Sequence, residues 1–194
     1  MLDAGMKLIS DELVQAGKLC EGAVAALVTS YLRGANVRQE LLKKSQQLQE
    51  LQEDVDEIAA EMISRYQPEA SDLRYIKSCK RITLEFARLG RYAYDISDLI
   101  ARRRPSDRND DHVKEVAERA SELTETGIMS LKNRDLAMAD KLRRVRISID
   151  RLHGDIDTPR AASSALFLRY LEGVSANAVS IGNSVLDITA AEGS

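Results

Sequence analysis

The stretch SRYQPEASDLRYIKSCK (Ser64–Lys80) decides how this chain is read. Pro68 stands in a run that is helical in pattern on both sides. Leu41, Leu48, Leu51, Val55, Ile58 and Met62 recur at helical spacing before it; Leu73, Ile76, Cys79, Phe86, Leu89, Ala93, Ile96 and Ile100 do so after it. A proline inside a helix removes a hydrogen bond and clashes with the preceding turn, at about 3 kcal/mol. It also disfavours helical geometry at the residue before it. Either one long helix is sharply kinked here, or two helices meet at a tight reversal.

The rest of the chain chooses between these. Met6, Ile9, Leu13, Ala16, Cys20, Ala23 and Leu27 step by threes and fours, the seam of an amphipathic helix, and Gly34 offers it a stop. Beyond Ile100, the segment RRRPSDRNDDH (102–112) has almost no apolar content and reads as a link between two halves. Val113, Val116, Ala120 and Leu123 begin a fourth seam that should end near Lys132–Asp135, and Leu142, Val145, Ile149 and Leu152 form a fifth. Thr158 precedes Pro159 as a capping residue before a proline at the first helical position. The sixth seam is Leu168, Leu171, Val174, Ala178, Ile181, Val185 and Ile188. Pro68, Pro105 and Pro159 all fall where a seam is interrupted, so Pro68 is expected to start a new helix. Glu69 and Asp72 would then favour the positive end of its dipole.

Helices of about 25 to 35 residues on short turns fold back antiparallel, giving up-and-down topology. At about 1.5 Å per residue each spans roughly 40 to 50 Å, a rod. Both halves read as two helices, a proline-containing turn and a helix rich in small residues, a weak internal repeat. Phe86, Leu89, Ala93 and Ile96 have counterparts in Leu171, Val174, Ala178 and Ile181. The fold expected is all-α: an elongated up-and-down six-helix bundle of two three-helix repeats, residues 1–104 and 112–190, with 105–111 as linker.

Composition agrees. Aromatics are 4% of 194 residues, Trp is absent and there are only 3 Pro, which suits helices better than a β-sandwich or barrel. A net charge of −3 gives no electrostatic case for nucleic acid. Cys20 and Cys79 match no metal or disulfide spacing and read as buried small hydrophobes. With neither a secretory signal nor an apolar run of about 18 residues, the expectation is a soluble cytoplasmic protein.

Gln67-Pro68, a short spacer and Asp72-Leu73-Arg74 resemble a turn found in the PhoU family, phosphate-signalling proteins built from two three-helix repeats. Phe86-Ala87-Arg88-Leu89-Gly90-Arg91 is similar to the family's Leu-Glu-Arg-Ile-Gly-Asp in reduced form. In the second half Arg169-Tyr170-Leu171-Glu172 matches the family's Arg-Tyr-Leu-Glu. Ala178 and Ile181 follow at the expected spacing, and Asp135 and Asp150 stand where its middle helix carries acids. The resemblance implies a non-enzymatic regulator of phosphate uptake and phosphate-responsive signalling. It would act in negative regulation as an adaptor on the phosphate ABC transporter and, where present, a membrane sensor kinase. It further implies a homodimer that meets the membrane only through its partners.

Many members of that family hold iron or zinc through an acid and an aspartate four residues on. Here those positions are Ala87 and Arg91 in the first repeat and Glu172 and Ala176 in the second, so Glu172 alone remains. No cofactor is expected, and iron, zinc or another divalent ion would bind only weakly. A metal-binding or metal-sensing bundle is the alternative reading; a coiled-coil scaffold fits less well, because the seams break at turn signals.

Among other candidates, Asp95, Asp98 and Glu85 could make a displaced metal site but read better as a solvated flank. His112 and His153 have no partner at ligand spacing. Arg102, Arg103 and Arg104 suit a helix's last turn. Arg143 and Arg144, with Lys141, Arg146 and Arg91, could offer a partner-binding or anion-attracting face. No catalytic triad, P-loop or phosphate-cradling glycine loop is present, so catalysis is not expected. Gly173 and Gly182 lie inside the last seam, where close approach of a neighbouring helix would offset glycine's cost of up to about 1 kcal/mol.

Overall fold

Gln67 makes the reversal at Pro68. It takes left-handed geometry (φ 44°, ψ 62°) and closes helix α2 (Arg38–Tyr66). Pro68 follows, a common place for proline because it cannot continue the helix. Helix α3 (Ala70–Ala101) then begins, with the Leu73 amide donating to the Glu69 carbonyl at 2.9 Å. Pro68 therefore stands two residues ahead of α3 rather than at its first position, which corrects the expectation that it starts the helix. Three residues are needed to turn the chain, and Glu69 accepts the first helical bond. Asp72 does lie in the first turn of α3.

The computed structural model describes residues 2–101, 111–153 and 162–190. Among them are six α-helices and no strand: α1 (Leu2–Arg33), α2, α3, α4 (Asp111–Asn133), α5 (Leu136–His153) and α6 (Ala162–Ala190). Pro105, Thr158, Pro159 and Arg102–Arg104 lie outside the described residues. The expected lengths hold for α1, α2, α3 and α6, whereas α4 has 23 residues and α5 has 18.

Turn chemistry sets the other boundaries. Gly34, at φ 69°, closes α1 and its amide donates to the Ser30 carbonyl at 2.8 Å. This is a left-handed cap that a residue with a Cβ would strain. Between α4 and α5, Arg134 turns left-handed (φ 50°). Asp135 then caps α5, its Oδ1 accepting from the amides of Ala137 (2.9 Å) and Met138 (3.0 Å).

The seams point inward as their spacing requires. Ile9, Leu13, Cys20 and Leu27 of α1, Leu41, Leu48 and Val55 of α2, and Ile76, Phe86 and Ala93 of α3 are buried. So are Val116 and Ala120 of α4, Leu142 of α5, and Leu171, Val174 and Ile181 of α6. Within each half all three helices pack on one another; α1 against α4 and α3 against α6 join the halves. Aromatic rings strengthen that joint, Tyr31 to Phe167 at 4.9 Å between ring centroids and Tyr92 to Tyr170 at 5.9 Å. The result is an all-α bundle of two three-helix groups, with a groove open along the α2/α3 flank.

Candidate functional site

That groove has a volume of about 430 Å³. On α2 it is lined by Gln49 and Gln52, which flank the buried row through Leu48 and Leu51. On α3 the lining steps through Ala87, Arg91 and Asp95, one turn apart, with Arg88 beside them. Ala87 keeps the floor low, and the two guanidinium groups form a wall.

Gln49, Gln52, Arg88 and Arg91 are each tethered along their own helix. Arg91 Nε donates to Asp95 Oδ1 at 3.2 Å and Oδ2 at 3.3 Å, and Arg88 Nη1 donates to Glu85 Oε1 at 3.0 Å. Gln49 Nε2 donates to Glu53 Oε1 (3.1 Å) and Gln52 Nε2 to Asp56 Oδ2 (2.6 Å). Across the helices, Lys80 Nζ meets Asp56 Oδ1 at 3.2 Å. A guanidinium carries five donors in a planar fork, so one tether leaves most of each fork unspent. Along α3 the groove therefore presents ion-paired arginines, with Asp95 among the lining residues, and along α2 it presents the two glutamine amides.

The residues singled out in the sequence are distributed as follows. Ala87 and Arg91 line this groove, whereas Glu172 and Ala176 are on α6. Glu172 Oε2 is 3.8 Å from Arg169 Nη1. Asp95, Asp98 and Glu85 are divided among three ion pairs, with Arg91, Arg38 and Arg88 respectively, which fits the solvated-flank reading. Among the described residues no group of three or more His, Cys, Asp or Glu is placed to hold a metal ion. His112 and His153 belong to α4 and α5, with side chains outside the description.

Arg143 and Arg144 share Asp140, whose Oδ1 is 3.0 Å from Arg143 Nη2 and whose Oδ2 is 2.6 Å from Arg144 Nη2. The hydrogen bond from Arg144, with both positive charges, holds the Asp140 carboxyl below its ordinary value. Lys141 lines a smaller cavity of about 110 Å³ between α4 and α5. Arg91 and the α5 arginines therefore belong to separate ion-pair groups on different helices. Cys20 and Cys79 are buried free thiols, as expected, each pushed up to about 12 by burial.

Two arrangements were missed in the sequence. Gln49, Gln52 and Arg88 carry a faint signal, because they sit beside a seam at helical spacing with an acid one turn away. The Arg38 clamp has none: Arg38 Nη1 pairs with Asp98 at 3.0 Å, its Nη2 donates to the Tyr94 hydroxyl at 2.7 Å, and its guanidinium lies 4.3 Å from the Tyr94 ring centre.

Comparison with known proteins bears on the whole chain. Residues 13–100 match the PhoU domain. The chain is 23% identical over 197 residues to a phosphate-specific transport system accessory protein PhoU homolog 2 of Methanothermobacter thermautotrophicus, spanning 96% of this chain and 84% of that one. It is 24% identical over 151 residues to the accessory protein PhoU homolog of Aquifex aeolicus, spanning 76% and 68% respectively. The fold superposes on the crystal structure of PhoU from Pseudomonas aeruginosa with a TM-score of 0.89 at 20% identity, covering 98% of this chain and 100% of that one. It superposes on the phosphate transport system regulatory protein PhoU from Streptococcus pneumoniae with a TM-score of 0.84 at 11% identity, covering 98% of each. In the domain match over residues 13–100, the two relatives and the shared fold, this chain is similar to PhoU proteins.

Proposed function

We propose that this chain regulates phosphate transport as a non-enzymatic adaptor that contacts components of the phosphate ABC transporter. The observation that carries the reading is the match along 96% of the chain to a phosphate-specific transport system accessory protein. In cells with a phosphate-responsive membrane sensor kinase, the adaptor contacts that kinase as well, in the sense of negative regulation. No helix among the described residues is long and apolar enough to cross a membrane. The proposed setting is therefore the cytoplasm, with the membrane reached through partners, and the working unit is a homodimer. Residues 1–104 and 112–190 act as its two repeats, joined by 105–111.

Arg91 in the α2/α3 groove and Arg143 and Arg144 on α5 are the proposed partner contacts. Their side chains are 70%, 61% and 77% exposed, so a partner reaches them without disturbing the core. Glu172 is assigned at most a weak contact to a divalent ion, since a single carboxylate is a poor ligand set. Elemental analysis of the purified protein checks that point, and stoichiometric iron or zinc would displace the adaptor reading by a metal-sensing one. The main test is deletion of the gene. Phosphate-responsive transcription should rise in phosphate-replete cells, and unchanged transcription together with unchanged phosphate uptake refutes the function.

A further inference from the structure

Helix α6 carries a polar stripe on the face that joins the two halves. Tyr170, Asn177 and Ser184 recur every seven residues, so they share one face of the helix. That face meets α3: the Tyr170 ring centroid lies 5.9 Å from that of Tyr92, Gly173 stands opposite Leu89, and Ser184 Oγ accepts from Arg81 Nη2. Asn177 is four residues after Gly173 and seven before Ser184, which puts it on the same seam. On α3, Glu85 is four residues from both Arg81 and Leu89, which puts it on the matching face. Glu85 and Asn177 are thus opposed across the joint.

The two side chains are in opposite conditions. Asn177 is 5% exposed, and among the described residues neither its Nδ2 nor its Oδ1 has a hydrogen-bond partner. A buried amide left this way forfeits the hydration it had in the unfolded chain. Glu85 stands at the rim of the seam, its side chain 37% exposed, and its Oε1 accepts from Arg88 Nη1 at 3.0 Å. Arg88 is 70% exposed, and a pair this open to water contributes little. Turned into the seam, the Glu85 carboxylate becomes the acceptor that Asn177 Nδ2 lacks. Arg81, one turn away, spends one nitrogen on Ser184; its spare N–H groups are the donors available to Asn177 Oδ1. Its charge also offsets the cost of bringing a carboxylate inward. The two arrangements exchange a weak exposed pair for a charge-assisted bond in the joint, so a modest perturbation of Arg88 shifts the balance.

We infer that Glu85 is a switch between the outer surface of α3 and the joint of the two halves. Held by Arg88, it leaves Asn177 unpartnered and the α3/α6 seam under-bonded. Released from Arg88, it turns inward, pairs with Asn177 and tightens the seam. A partner carboxylate that engages Arg88 releases it; that trigger rests on the adaptor reading, and the switch itself does not.

The test uses the isotope-labelled full chain followed by NMR. The Asn177 side-chain amide is assigned by its absence from the spectrum of Asn177→Ala. Arg88→Ala removes the competing partner at an exposed position, where the fold is kept. In this variant the Asn177 amide protons should exchange with water about tenfold more slowly than in the wild type. The melting temperature should rise by about 2 to 4 °C. Adding Glu85→Ala to Arg88→Ala should abolish both gains, and Arg88→Ala made on top of Asn177→Ala should give no rise in melting temperature. Equal protection of the Asn177 amide in the wild type and in Arg88→Ala overturns the switch, because the amide then has a constant partner such as a buried water. Protection that survives the addition of Glu85→Ala overturns it as well, since the acceptor is then another group. So does a melting temperature that fails to rise in Arg88→Ala, because the seam is then not tightened. These readings need neither the transporter nor the deletion strain, so the switch and the adaptor function fail separately.

Discussion

Alanine substitutions at Gly173 and Gly182 should act in opposite directions, although both glycines lie in α6. A glycine-to-alanine change inside a helix favours folding by about 0.8 to 1 kcal/mol wherever the methyl group fits. At Gly173 the added Cβ would meet only Leu89 Cδ2, at 3.4 Å, an ordinary contact. Gly182 is buried, and its Cβ would lie 3.0 Å from the Ala139 carbonyl oxygen and 3.1 Å from Leu142 Cβ. A carbonyl oxygen in α5 cannot rotate away, so α5 must retreat, and overpacking of this kind costs about 1 to 3 kcal/mol. The propensity contribution is common to both sites and cancels in the comparison, leaving Gly182→Ala about 1 to 3 kcal/mol less stable than Gly173→Ala. In a chain of this size 1 kcal/mol moves the melting temperature by about 2 to 4 °C. Thermal unfolding followed by circular dichroism should show Gly173→Ala melting above the wild type and Gly182→Ala at or below it. If both variants gain equally, the α5/α6 approach is wider than described and the packing argument fails.

Asp135→Ala removes the acceptor of two amides at the start of α5 and should cost about 1 kcal/mol, read from the urea midpoint. The thiols of Cys20 and Cys79, held at about 12 inside the core, should not react with a disulfide reagent at pH 8 until the chain unfolds; prompt labelling of the native protein would contradict their burial. Glu12 has a raised pKa in the folded chain, so the native state binds its proton more tightly than the unfolded state and stability falls as pH rises through that range. Glu12→Gln should therefore stabilise the protein near pH 7 and lose that advantage near pH 4, measured as paired melting curves. Asp140 has a lowered pKa, so the opposite sign applies: its contribution is present at neutral pH and fades on acidification. Asp140→Asn should remove that part of the acid dependence.

The bundle was legible because its information is periodic. Seams of threes and fours state which side of each helix is buried, and prolines and glycines state where a helix can end. The reading of Pro68 missed by two residues, because the left-handed cap at Gln67 is a backbone property that a glutamine does not announce. At Gly182 the inference of close helix approach was correct; at Gly173 it was not, because periodicity does not reveal what stands opposite a residue. Asp135 was noticed for an acid position of the family, whereas in the fold it caps α5. Contacts between helices were out of reach for the same reason as the facing residue at Gly173. Arg38 meets Tyr94 across 56 residues of sequence, and only the relative height of α2 and α3 brings them together.

Fold and site are separable in this chain. A seam needs only apolar side chains of suitable size, which many sequences supply, so superposition at a TM-score of 0.84 survives at 11% identity. The groove positions lie outside that requirement. Arg88 and Arg91 are tied only to acids of their own helix, and exposed pairs at that spacing contribute a few tenths of a kcal/mol at most to folding. Substitution there leaves the bundle nearly as stable while reversing the charge that a partner or ion meets. An acid-to-arginine change at such a position therefore alters what the groove accepts without altering the architecture that presents it. Similarity to PhoU structures consequently specifies the scaffold of this chain more tightly than the contents of its groove.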